Sequence, residues 1–94
     1  MTNNNGIKVS HAARFLKSLK RIPQRIQDKA EERHNIFRAN PFDPRLDTHK
    51  LHGQFQRFWA YSVDRRYRVI FIFKDAHAVM YYDIGLHPIY GGSE

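Results

Sequence analysis

Residues 66–84 read RYRVIFIFKDAHAVMYYDI, and this stretch decides the fold. From Tyr67 to Phe73 the chain alternates. Tyr67, Val69, Phe71 and Phe73 fall on one face, and Arg68, Ile70 and Ile72 on the other. A period of two in β-branched and aromatic residues predicts a strand. Lys74-Asp75-Ala76 supplies a turn, and His77 to Ile84 predicts a further strand stopped by Gly85. Upstream, residues 55–63 are aromatic-rich and alternate imperfectly, with Asp64-Arg65 suited to a hairpin turn. Three consecutive strands joined by tight turns make an antiparallel meander.

Before the meander the period is 3.6. Ile7 to Val9 predicts a short strand, and Ser10 is placed to cap a helix with its hydroxyl. Ala12, Phe15, Leu16 and Leu19 mark an apolar stripe over 11–21. Pro23 ends that helix and suits the first turn of the next, where Ile26, Ala30, Ile36 and Phe37 continue to about Ala39. Residues 41–54, with two prolines, two aspartates and Gly53, read as a loop. The order is β-α-α-β-β-β. The expected class is α+β, a helical hairpin packed on one face of an antiparallel sheet, the other face left open and concave. Residues 1–6 read as a loose tail and 7–94 as a single domain.

Composition sets the chemistry. The 94 residues suffice for one core and contain no Cys, which excludes disulfides, thiolate metal sites and thiol nucleophiles. The longest apolar run, Val69 to Phe73, is far too short to cross a membrane, and no signal peptide is visible. The cytoplasm is the expected location. Net charge is +7, and residues 1–53 hold eleven basic against five acidic side chains. That bias predicts a polyanionic or acidic partner. Asp47, His49 and His52 lie close together, but in a Pro-rich loop without a further ligand, so no metal site is expected. No phosphate-binding glycine loop, dinucleotide fingerprint or serine nucleophile motif is present, and no small-molecule cofactor is expected.

Several segments together resemble a known family. The helical hairpin is followed by Lys50-Leu51-His52-Gly53, an aromatic strand, Tyr67-Arg68-Val69-Ile70-Phe71, and Asp83-Ile84-Gly85-Leu86-His87-Pro88-Ile89-Tyr90. In order and spacing, over about residues 7–90, this is similar to the RelE/ParE superfamily of type II toxin–antitoxin toxins, in its RelE/StbE-like branch of plasmid stabilisation proteins. The resemblance implies a ribosome-dependent endonuclease of messenger RNA that uses no metal and leaves a 2′,3′-cyclic phosphate. It also implies neutralisation by a cognate antitoxin, expected here to be acidic. Carried over by position, Arg68 would contact the scissile phosphate, His87 would transfer a proton and Tyr90 would position substrate, with Lys50 as a further RNA contact.

The sequence departs from the family at two places. Counted from Gly53, cations expected on the second strand of the meander are replaced by Trp59 and Tyr61. The Gly85-to-Tyr90 spacing is one residue shorter than in many members. Trp59 and Tyr61 would offer a stacking platform for unpaired bases if their face is the open one, and core if it is not. Arg68 would contact phosphate, or pair with Asp64 or Asp83. Two alternatives therefore stand beside the ribonuclease: a ParE-like inhibitor of DNA gyrase, and a non-catalytic relative that only binds antitoxin or RNA.

Overall fold

The computed structural model describes residues 6–86. The chain begins with β1 (Lys8–His11), followed by α1 (Ala13–Arg21) and α2 (Gln24–Ala39). A 3-10 turn at Pro44–Leu46 leads to β2 (His49–Lys50), and a second at Gly53–Phe55 leads to β3 (Trp59–Ser62). Two long strands close the fold, β4 (Tyr67–Asp75) and β5 (Ala78–Leu86). The sheet order is β1-β5-β4-β3-β2. β3, β4 and β5 form the expected antiparallel meander, and β1 lies beside β5 in parallel, with Lys8 opposite Ala78 and His11 opposite Tyr81.

Four details differ from the sequence expectation. Ser10 does not cap α1: parallel pairing carries β1 on to His11, so the residue before the helix is Ala12. β2 is an extra strand of two residues, too short to show any period. Residues 53–55 wind into a 3-10 turn, where Gly53 has φ +67°, so β3 starts only at Trp59. β5 runs through Gly85 to Leu86, because the backbone of Gly85 still pairs with Arg68.

The main core lies between the helices and one face of the sheet. Phe15 from α1 and Ile26, Ala30 and Phe37 from α2 pack on Tyr61, Val63, Val69, Phe71, Val79, Tyr81 and Ile84. Phe37 is its aromatic centre, stacked on Tyr61 at 4.8 Å and edge-on to Phe71 at 4.9 Å. The opposite face is not bare. Leu51, Ala60 and Ile70 are buried there beneath Phe55, Phe58 and Tyr82. A register shift between Ile70 and Phe71 leaves Tyr82 unpaired between Tyr81 and Asp83, a bulge that frees its ring to meet Phe58 at 4.9 Å.

Candidate nucleic-acid interface

The turn between β3 and β4 is fixed by one side chain. Asp64 Oδ1 accepts hydrogen bonds from the backbone N–H groups of Arg66 and Tyr67, each at 2.8 Å. That turn starts β4 at Tyr67 and makes Arg68 its second residue. Arg68 pairs with Ser62 on one side and Gly85 on the other. Both of these cross-strand neighbours are small.

Arg68 forms no ion pair with either expected carboxylate. Its Nη1 donates to the backbone carbonyl of Asp64 at 3.2 Å. Its Nε is buried and has no hydrogen-bond partner among the described residues. Asp83 is engaged elsewhere: Oδ1 accepts from Ser18 Oγ at 2.6 Å, and Oδ2 lies 3.6 Å from Arg14 Nε. A carbonyl orients a guanidinium without cancelling its charge, so the positive end of Arg68 stays available to an anion. The side chain borders an open groove of about 550 Å³ that is lined also by Lys29, Arg33, Arg45 and Arg65.

Strand register separates the other expected residues from Arg68. Tyr61 is 0% exposed in the helix-side core, and its hydroxyl donates to Tyr81 Oη at 2.9 Å. Trp59 packs against the same core, edge-on to Phe42 and Phe73. Tyr61 has no face to offer a base, so its expected stacking role is corrected to core packing, and Trp59 is half-buried on the same helix side of the sheet rather than on the face of Arg68. The residues of β3 that share the face of Arg68 are Ala60 and Ser62. A one-residue offset in a strand exchanges its two faces, and counting from Gly53 missed the irregular backbone before Trp59. Lys50 is exposed and pairs with Trp59, which puts it on the helix side of the sheet, away from Arg68. His87 and Tyr90 lie outside the described residues. The described chain leaves β5 at Leu86, opposite Tyr67 and one register step from Arg68.

The helix side holds a polar chain that the sequence did not reveal. Tyr61 Oη donates to Tyr81 Oη, which in turn shares a hydrogen bond with His34 Nδ1 at 2.9 Å. Burial pushes both phenols above their usual range. Burial first, then the charge of Arg38 and His11, lowers the His34 pKa from its ordinary 6.5. His34, on α2, is half-buried and bonded to the sheet.

No protein-family model matches the sequence. No curated protein matches it. Solved structures do. A YoeB/ParE toxin from Agrobacterium tumefaciens superposes with a TM-score of 0.72 at 13% identity, covering 86% of this chain and 99% of that one. YafQ from E. coli strain BL21(DE3) gives 0.71 at 14% identity, covering 86% and 93%. A chain of the archaeal RelE–RelB complex from Pyrococcus horikoshii OT3 gives 0.70 at 19% identity, covering 90% and 99%. Two helices on a five-stranded, mostly antiparallel sheet thus have the same arrangement here as in those proteins, and this chain shares their fold.

Proposed function

We propose that the chain is the toxin of a type II toxin–antitoxin pair and a metal-independent, ribosome-dependent endonuclease of messenger RNA. The observation that carries this reading is Arg68: a guanidinium whose buried Nε–H has no partner among the described residues, paired across the sheet with Ser62 and Gly85, beside a largely cationic groove. In the reaction the ribose 2′-oxygen attacks the adjoining phosphorus and the bond to the 5′-oxygen breaks. The products are a 2′,3′-cyclic phosphate and a 5′-hydroxyl. Arg68 donates to the phosphate oxygens as their charge grows. His87, next in the chain after Leu86, transfers a proton, and Tyr90 positions the substrate. Their roles, like that of Lys50 as an outlying RNA contact, rest on the family resemblance. Ala60 and Ser62 supply no cation beside Arg68, so the site borrows order from the ribosome.

The test is cleavage of messenger RNA on purified ribosomes. Arg68→Ala and His87→Ala should each lower the rate about 100-fold or more, the scale of one lost transition-state donor or proton carrier. Growth arrest by both variants with messenger RNA intact would overturn the reading. The uncharged pair Ala60 and Ser62 favours a second reading, a binding protein that acts on gyrase without catalysis. Loss of DNA supercoiling during that arrest would establish it.

A further inference from the structure

The groove between α2 and the β3–β4 turn joins two side chains with the same unusual state. Among the described residues, the buried side-chain nitrogens without a hydrogen-bond partner are Nε of Arg33 and Nε of Arg68, and both residues line this groove. Each guanidinium is held by a backbone carbonyl: Arg33 Nη1 donates to Arg45 O at 3.4 Å, and Arg68 Nη1 to Asp64 O at 3.2 Å. Neither is paired with a carboxylate among the described residues. A buried donor without an acceptor is costly, and a ligand that brings an oxyanion recovers that cost.

The remaining lining residues divide by whether their side chains have a partner. Arg45 is committed to Asp43 through two hydrogen bonds, at 3.0 and 2.8 Å. Asp64 is committed to the turn N–H groups. Lys29, one helical turn before Arg33, and Arg65 have no carboxylate partner among the described residues. The groove is therefore open and holds four cations without an ion pair among the described residues, beside the one carboxylate of Asp64, and two of the four have an unsatisfied buried Nε–H.

We propose that this groove holds the sugar–phosphate backbone of a single-stranded RNA, with Arg33 gripping a second phosphate beside the one at Arg68. The proposal rests on the nuclease reading for the phosphate at Arg68, and it adds Arg33 and Lys29 as substrate-binding residues on α2. A strand held at Arg68 must continue past it, and the open groove offers the adjacent path with unneutralised positive charge. An isolated anion would need one guanidinium; a row of free cations along an open channel fits a repeating polyanion.

Binding can be measured apart from cleavage. The full chain is titrated into a fluorescein-labelled 2′-O-methyl RNA decamer, which has no 2′-hydroxyl to attack, between about 50 and 200 mM salt. Arg33→Gln and Lys29→Gln should each weaken binding severalfold and lower the slope of log affinity against log salt by about 0.7, the value for one lost single-strand phosphate contact. Arg33→Lys should keep the slope but not the full affinity, because lysine has charge without the Nε–H. Lys20→Gln, at the end of α1 and outside the groove, should change neither. Thermal melts matched to the unaltered chain make loss of binding a loss of contact.

Unchanged affinity and slope in both Arg33→Gln and Lys29→Gln would overturn the proposal. So would displacement of the decamer by a mononucleotide at equal concentration, which would make the groove a site for an isolated phosphate. Loss of antitoxin binding with RNA binding intact would reassign it to an acidic protein segment. If ribosomal cleavage never occurs but the slope falls as stated, the nuclease reading fails and the groove stands. If cleavage occurs and the slope does not move, the groove alone fails.

Discussion

Tyr61 reads in sequence as a ring that RNA bases could stack on, yet it is enclosed in the core beneath Phe37. Its hydroxyl survives burial because Tyr81 accepts its proton. Tyr61→Phe should therefore destabilise the fold by about 1 kcal/mol in denaturant titrations and leave RNA affinity unchanged. A loss of RNA binding at full stability would contradict the core assignment. His34 closes the same chain. With its pKa lowered by burial, the folded state binds the proton less tightly than the unfolded state does. The stability His34 contributes is thus complete above about pH 6.5 and is lost as pH falls through that value toward the lower folded pKa. Denaturation midpoints taken from about pH 7.5 down to 5 should drop in the native chain and drop less in His34→Gln, whose amide oxygen can accept from Tyr81 without titrating.

At the scale of elements, the helices and the long strands carry their own signal, and the short pieces do not. α2 has no side-chain cap at its start, so tertiary packing must hold it. Phe37 is the ring that does most of this, fully buried between Tyr61, Phe71 and Tyr81. Phe37→Ala should cost about 3–5 kcal/mol, read as a lower denaturation midpoint, with the residual melt still cooperative. β3 has only four residues between a 3-10 turn and the Asp64 turn, and its faces are set by where it pairs with β4. That pairing, rather than distance from Gly53, puts Ala60 and Ser62 beside Arg68.

At the scale of the whole molecule, charge is divided unequally, with net +6 carried by residues 1–53 from eleven basic and five acidic side chains. Eight of the eleven cations sit on α1 and α2, and five of these are exposed. If the toxin reading holds, an acidic antitoxin approaching this surface would be steered by it, with salt screening the attraction over about 8–10 Å at physiological strength. Association should slow and affinity should fall between low and high salt in stopped-flow and equilibrium measurements. Rates flat across that range would show that the antitoxin binds away from the basic helices.

The alternation of Tyr67 to Phe73 and the helical stripes through Phe15 and Phe37 determined the α+β class and the meander from sequence alone, because burial imposes a period on any regular element. The side of Arg68 was legible for the same reason: it shares the face of Ile70, away from the helix-side core. Periodicity says nothing about which distant segments meet. The pairing of Arg33 on α2 with Arg68 across the groove, the link from His34 to Tyr81, and the side of the sheet that Trp59, Tyr61 and Lys50 occupy were decided only by tertiary structure. Each depends on strand register or on side chains more than thirty residues apart, and contacts of that kind leave no local mark in the chain.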